Sequence, residues 1–430
     1  MFYVPSLRLT FFAYIFLFIA SETYAAGTIS NALSAKAAGR GGTNLAMGDN
    51  GVVLMDNPSA MQSLIGNEAQ EDWFVDIGGV LLLTDLSYSD SENPTTDAKD
   101  SPSGLGHFMV ARRVHEDIVL GFGAFAPAGF ASQYDLVGPA TLPGRHAYKS
   151  FGALVRVLPG ISARLTDDWT VGATLGTALS HVDIEGPYYL NSAPLHGTPT
   201  LLDMRATGAA LSWSCGTQYK LTDQTTVGAQ YQSENRFKAE GKANVTIDPL
   251  GNSNYDIELG LTWARSVGFG ILHQLDAQQR IAVDFVIEDW SSAHDNAKLT
   301  FTNPDNPVFL GAAGPSIQEI FPLRWKDALV VAVGYERDLQ NDHTIRAGYR
   351  YQDNPIPAFT TSTYLQATLQ HHFSIGHGFI HNGWEIDTAY QFAFGPDVHT
   401  GASVYPGNDF SNAIVKTQTH MIFLGAMRRF

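Results

Sequence analysis

The sequence predicts an all-β protein, a transmembrane antiparallel β-barrel of fourteen strands with a small N-terminal hatch in its lumen. Three observations predict it. The chain opens like a secretory leader, and no later stretch is apolar enough for a membrane helix. Its mean hydropathy is -0.06, with only 16% charged residues. Most of the remaining sequence alternates between apolar and polar residues, segment after segment.

The leader comes first. Arg8 precedes an apolar run from Leu9 to Ala20, and Ser21-Glu22-Thr23-Tyr24-Ala25 supplies small residues for cleavage. That is a signal peptide over residues 1–25, too short to span a bilayer, which takes ~20 apolar residues. A soluble protein carries nearer ~25% charge, and a helical membrane protein repeats long apolar runs. A barrel reconciles both, because one strand face is apolar and the other polar. The net charge of -16 argues against a nucleic-acid partner. Cys215 is the only cysteine, expected as a packed strand residue, so neither an internal disulfide nor a cysteine-rich metal site is possible. No cofactor is expected.

Residues 26–71 form the next element. They are rich in Ala, Gly and Asn, show no alternation and hold one apolar run, Val52-Val53-Leu54-Met55. A segment of that length ahead of the first strand of a wide barrel is expected inside it, as a plug.

The barrel is expected over 72–430. Alternating segments fall roughly at 73–88, 105–115, 117–126, 148–165, 168–185, 204–221, 224–236, 254–275, 279–290, 327–339, 342–352, 363–374, 383–395 and 416–430. In one of them Ile345, Ala347, Tyr349 and Tyr351 share a face opposite Thr344, Arg346, Gly348 and Arg350. Short turns such as Val114-His115-Glu116 and Leu221-Thr222-Asp223 alternate with long polar connections, Ser87–Gly104, Gly186–Asp203 and Ser291–Lys326. Short periplasmic turns and long extracellular loops are the outer-membrane pattern. The last residue, Phe430, follows Ile422, Leu424 and Ala426 on one face, a terminal aromatic of the kind read by the barrel assembly machinery. Arg428 departs from the apolar habit of that position, and a long basic side chain can snorkel at the membrane edge.

Several motifs together resemble a known family. They are Ala26-Gly27, Gly39-Arg40-Gly41-Gly42, Asp56-Asn57-Pro58-Ser59-Ala60, Gly121 to Phe130, Trp169-Thr170-Val171-Gly172, Asp289-Trp290-Ser291, Trp325-Lys326-Asp327, Ile345-Arg346-Ala347-Gly348-Tyr349 and Asp353-Asn354-Pro355. In this order they resemble the outer-membrane long-chain fatty acid transporters, the FadL type, with their TodX-type relatives for aromatic hydrocarbons. The resemblance spans nearly the whole mature chain. It implies a monomer in the outer membrane of a Gram-negative bacterium, in contact with membrane lipid. Fatty acids or similar hydrophobic molecules would cross it passively and leave through a gap in the wall. It also places hatch residues at Gly39, Gly41, Gly42, Asn57 and Pro58. The same family admits aromatic hydrocarbon uptake as the alternative.

Candidate sites follow. Ala126-Pro127-Ala128-Gly129 would interrupt the third strand, since Pro lacks the N–H a ladder needs. A wall gap and a simple strand end are the two readings, and the resemblance favours the gap. Asp284, Glu288, Glu336, Arg346 and Arg350 share the inward face of three consecutive strands. They are read as a salt-bridge network bracing the hatch in preference to a carboxylate site. No Lys or Arg occurs between Arg164 and Arg205, where the fatty acid transporters of the family supply basic residues, and His181 is the candidate cation there. Uncharged ligands need none. His371, His372, His377 and His381 are read as a cluster around one periplasmic turn, solvated in preference to metal-bound. An enzyme of lipase type is the rival class. No Gly-x-Ser-x-Gly motif supports it. The hatch argues against an open porin, whereas a receptor role for phage could coexist with transport.

Overall fold

The computed structural model describes residues 32–65, 72–99, 102–339, 341–366 and 368–430. The expected signal peptide and the two ends of the expected hatch segment, residues 26 and 71, lie outside them.

Fourteen strands form the wall. The first seven are β1 (Trp73–Ser89), β2 (Ser103–His115), β3 (Ile118–Val137), β4 (Arg145–Thr166), β5 (Trp169–Tyr189), β6 (Pro199–Thr222) and β7 (Thr225–Gln232 continuing as Asn235–Ile247). The others are β8 (Gly251–Trp263 continuing as Ser266–Gln274), β9 (Gln279–Glu288), β10 (Ala328–Asp338), β11 (His343–Gln352), β12 (His371–His381), β13 (Trp384–Phe394) and β14 (Ile414–Arg429). Each pairs antiparallel with its neighbours, and β1 pairs with β14 from Phe74↔Arg429 to Ser89↔Ile414, which closes the barrel. Closure leaves the sheet without a free terminal strand.

Alternation sorts each strand. On β14 Met421, Phe423 and Met427 are buried while Ile422 and Leu424 face outward. The outer surface is accordingly apolar: Leu175, Leu211, Ile287 and Ile375 are among its most exposed residues. Cys215, expected to be packed, is exposed on this outer face, because the alternation that turns Ser212 and Ser214 inward turns it out. Phe430 is also exposed, and the Arg428 guanidinium lies 4.8 Å from its ring centre.

Two connections differ from expectation. Much of Gly186–Asp203, expected as a polar loop, continues the ladder as far as Tyr189↔Pro199. Strands β5 and β6 are 21 and 24 residues long, about twice the ~10 a membrane requires, so they project beyond it. Likewise β7 runs on to Ile247, and Ser291–Lys326 holds a hairpin, Asn296–Thr302 with Ser316–Pro322, that pairs with β8. The projecting sheet is held by an apolar inner side that includes Leu202, Met204, Val245, Leu259 and Phe301. Burial of these residues supplies what a loop reading overlooks.

Residues 32–65 lie inside the barrel. They form two short helices, α1 (Ala35–Gly39) and α2 (Val53–Asp56), and a 3-10 turn, Pro58–Ser63. Val52, Val53, Leu54, Met61 and Leu64 pack with Phe74, Met109 and Leu158 of the wall.

Candidate functional site

The hatch is tied to the wall by charge and by close backbone contact. Arg40 donates to Asp49 at 2.6 Å and to Glu336 of β10 at 2.9 Å. Glu336 also accepts from Arg280 and Arg346, and Arg346 reaches Asp387 at 2.6 Å. Lys36 of α1 pairs with Glu385. The carboxylate of Asp284 accepts the backbone N–H groups of Asn44 and Leu45 at 2.7 and 3.0 Å. Glu288 accepts the indole N–H of Trp290 at 2.8 Å, and Arg350 donates to Gln352 within Coulomb reach of Glu288, Asp284 and Asp56. These inward charges are thus committed to one another and to the hatch.

The hatch motif residues sit against the wall where side chains are smallest. Gly41 has φ +70°, and a Cβ there would lie 2.9 Å from the Tyr349 backbone. Gly39 faces Gly376 across 3.0 Å for the same hypothetical atom, while Gly42 continues the turn at φ 91°. Asn57 accepts from Ser59 and donates to the carbonyls of Leu45 and Thr217, and Pro58 opens the 3-10 turn where its missing N–H costs nothing.

At Pro127 the wall changes register. Phe125 pairs with Arg156, and the next pair is Ala128 with Leu154, so β3 spends one residue more than β4 over Ala126 and Pro127. That offset reverses which face each later residue takes. The ladder between β2 and β3 ends at His107↔Phe125, although β3 continues to Val137. A cavity of about 200 Å³ lies beside the end of that ladder, bordered by Gly104, Leu105, Ala126, Ala128, Gly129 and Phe130.

A second cavity of about 130 Å³ lies within the projecting strands and their loops. Phe130 borders both cavities. The other walls of the second include Trp263, Trp325, Tyr188, Phe321 and Phe410, and among the described residues no lysine or arginine lines it. Besides tyrosines, an aspartate and a histidine line it. Asp409 accepts the Phe410 N–H and is pushed up to about 7, chiefly by burial and further by the charge of Asp90. His294 is lowered to about 4 by burial. None of these lining residues was singled out from the sequence except within motifs, because they come from connections far apart in the chain.

His181, expected inside, faces outward. Strand β5 buries Ala178, Ser180 and Val182 and exposes Leu175 and Leu179, so parity places 181 on the lipid side, where it bonds Thr207 at 2.8 Å. The four histidines expected around one turn are instead spread along β12, with His372 buried and His371 bonded to Tyr349 on the outside. An inward cation that the sequence reading passed over is Arg156. It is buried, and its guanidinium donates to the Asn235 side chain at 3.0 and 3.2 Å.

Comparison with known proteins gives three kinds of match. Residues 16–425 match the family described as outer membrane protein transport protein, OMPP1/FadL/TodX. A long-chain fatty acid transport protein of Escherichia coli is 22% identical over 218 residues, covering 45% of this chain and 48% of that protein. The chain therefore matches about half the length of that relative. Among solved structures, a Pseudomonas aeruginosa FadL homologue superposes with a TM-score of 0.74 at 16% identity, over 94% of this chain and 100% of that one. The Pseudomonas putida toluene transporter TodX gives 0.74 at 18%, over 95% and 100%. The Ralstonia pickettii toluene transporter TbuX gives 0.73 at 17%, over 93% and 99%.

Proposed function

The chain belongs to the outer membrane protein transport protein family, OMPP1/FadL/TodX, and on that premise we propose that it carries small hydrophobic molecules passively through the outer membrane. The observation that carries the reading is Phe130, which borders both the apolar cavity and the cavity beside Pro127. A molecule held in the cavity needs only this ring to move aside to reach the membrane. A lateral exit through Ala126 to Gly129 suits such cargo, since each CH₂ entering lipid from water gains about 0.8 kcal/mol. The hatch, meanwhile, closes the straight path down the lumen. The mechanism asks nothing of a catalytic group, so the protein acts as a channel and not as a lipase. Recognition of Phe430 by the assembly machinery and action as a monomer belong to the same proposal.

The cavity favours an uncharged cargo. A carboxylate there would meet no lysine or arginine and would face Asp409. Its volume of about 130 Å³ is also near the ~150 Å³ of apolar space that accepts one benzene ring. Aromatic compounds therefore fit this cavity better than long acyl chains. A second reading, fatty acid uptake, is favoured by Arg156, whose guanidinium donates to the neutral side-chain amide of Asn235. Uptake of radiolabelled toluene and laurate by a deletion strain carrying the wild-type or Arg156→Ala protein separates the two. Toluene uptake unaffected by the substitution supports the first reading. Laurate uptake that depends on Arg156 supports the second, and no uptake of either overturns both.

A further inference from the structure

The apolar cavity shares a wall with a more polar one of about 160 Å³, bordered by Tyr88, Asp90, Asn93 and Tyr148. Asp409 and Phe410 make that wall, since they line both cavities. Asp409 is thus the polar side chain at the place where the two spaces meet.

The turn that carries it is held firmly. Phe410 has a left-handed φ of 60°, which a bulky residue keeps only where its surroundings impose it. The Thr400 hydroxyl donates to the Phe410 carbonyl at 2.7 Å and accepts the Ala413 N–H at 2.8 Å. The Phe410 ring meets Tyr88, Tyr148, Tyr364 and Tyr405 edge-on, with ring centres 6.3, 6.0, 6.0 and 5.8 Å away.

The carboxylate on this turn is half used. Asp409 is 9% exposed, and its Oδ1 accepts the Phe410 N–H at 3.2 Å. Its Oδ2 has no hydrogen-bond partner among the described residues, yet it keeps accessible surface. Other polar groups of the apolar cavity are engaged. The hydroxyl of Tyr188 donates to Glu319 at 2.9 Å, Tyr364 to the Pro187 carbonyl at 2.9 Å, and Tyr405 to the Thr360 carbonyl at 3.0 Å. Buried carboxylate oxygens ordinarily have partners, so an open one beside a ligand-sized cavity is placed to take a donor from the ligand.

The surroundings narrow that donor. Among the described residues no lysine or arginine lines either cavity, and Asp90 adds a second negative charge near Asp409. An anion is therefore repelled, and a bare hydrocarbon leaves Oδ2 unpaired. A hydroxyl on an aromatic ring satisfies both spaces, with the ring on the apolar side and the O–H at the shared wall.

We propose that Asp409 is a specificity-determining residue whose Oδ2 accepts a hydrogen bond from the hydroxyl of a neutral, single-ring ligand, so that phenol-like compounds are held at the junction of the two cavities. This rests on the transport reading above and narrows its substrate class.

Phenol and toluene, which differ by a hydroxyl for a methyl, are the probes. Binding of each to purified full-length protein in detergent is measured by calorimetry for wild type, Asp409→Leu and Asp409→Asn. The pH is 8, above the value of about 7 to which burial, and then Asp90, push the carboxyl up. Heat-modifiable gel migration verifies that each barrel is folded. In Asp409→Leu phenol affinity should fall about tenfold or more, the range one hydrogen bond to a charged group commands. Toluene affinity should rise, because a charge no longer faces its ring. Asp409→Asn keeps a neutral acceptor and should retain part of the phenol affinity lost in Asp409→Leu. Undiminished phenol affinity in Asp409→Leu, or a parallel loss of both probes, overturns the role of Asp409 and leaves the transport reading standing. Binding of neither probe to wild type overturns both.

Discussion

The guanidinium of Arg40, on the hatch, lies 2.9 Å from the carboxylate of Glu336 on the barrel wall, and both side chains are almost wholly buried. Removing Arg40 cuts this tie between hatch and wall, while Arg280 and Arg346 still neutralise Glu336. Arg40→Met should therefore loosen the hatch while the barrel stays folded. Planar-bilayer recordings should show frequent large openings absent from wild type. Deleting residues 32–65 should turn those openings into a steady high conductance. Identical traces for all three proteins would mean that the hatch does not seal the lumen.

A crosslink can close the lateral exit. A Cβ on Gly129 would stand 3.8 Å from the tip of the Leu105 side chain, so Leu105→Cys with Gly129→Cys, in a Cys215→Ser background, can be bridged by a short, reducible dithiol crosslinker. Uptake should drop at least tenfold when crosslinked and recover on reduction, at constant surface levels. Full uptake through the closed staple would rule out the lateral route.

Phe130 offers a test that leaves the ladder intact. Phe130→Ala removes the ring shared by the two cavities and should speed uptake of toluene several-fold; Phe130→Trp should slow it. Initial rates in whole cells report both. A change in the same direction for both variants would deny the ring a gating role.

The buried carboxyl of Asp409 makes the cavity sensitive to pH. Its value in the fold, about 7, lies above the ordinary 3.8, so the folded protein favours the neutral form. The associated stability is complete below about pH 3.8 and lost as the pH rises through about 7. Across that range Asp90 adds its own negative charge, and the Phe410 N–H opposes it. Toluene affinity should accordingly weaken between pH 6 and 8, and Asp409→Asn should flatten the profile. A slope that persists in Asp409→Asn would assign it to another group.

The barrel was legible because its physics is periodic. A strand such as β11, with Ile345, Ala347 and Tyr349 against Arg346, Gly348 and Arg350, states its two environments residue by residue. Parity is also where a sequence reading fails, since one residue of offset moves a side chain from lumen to lipid. His181 is the example. The cavity was not legible at all. Phe130, His294, Trp325 and Asp409 converge from a strand and two separate connections, and no spacing along the chain encodes that meeting. The one available hint was the pair of tryptophans, Trp290 and Trp325, flanking a stretch read as a polar loop.

The glycine contact inside the barrel has a consequence for the order in which the molecule can be made. A Cβ on Gly348 would fall 2.0 Å from the Gly41 backbone nitrogen, so hatch and wall meet with no room for later insertion of bulk. The seam that closes the wall joins β1 to β14, the two ends of the strand series, and carries the longest sequence separation of the strand pairings. Pairings of that kind form slowly and late. The close fit favours a hatch seated before the seam zips. The plug would then serve as a mandrel around which the last turn of the wall is wound.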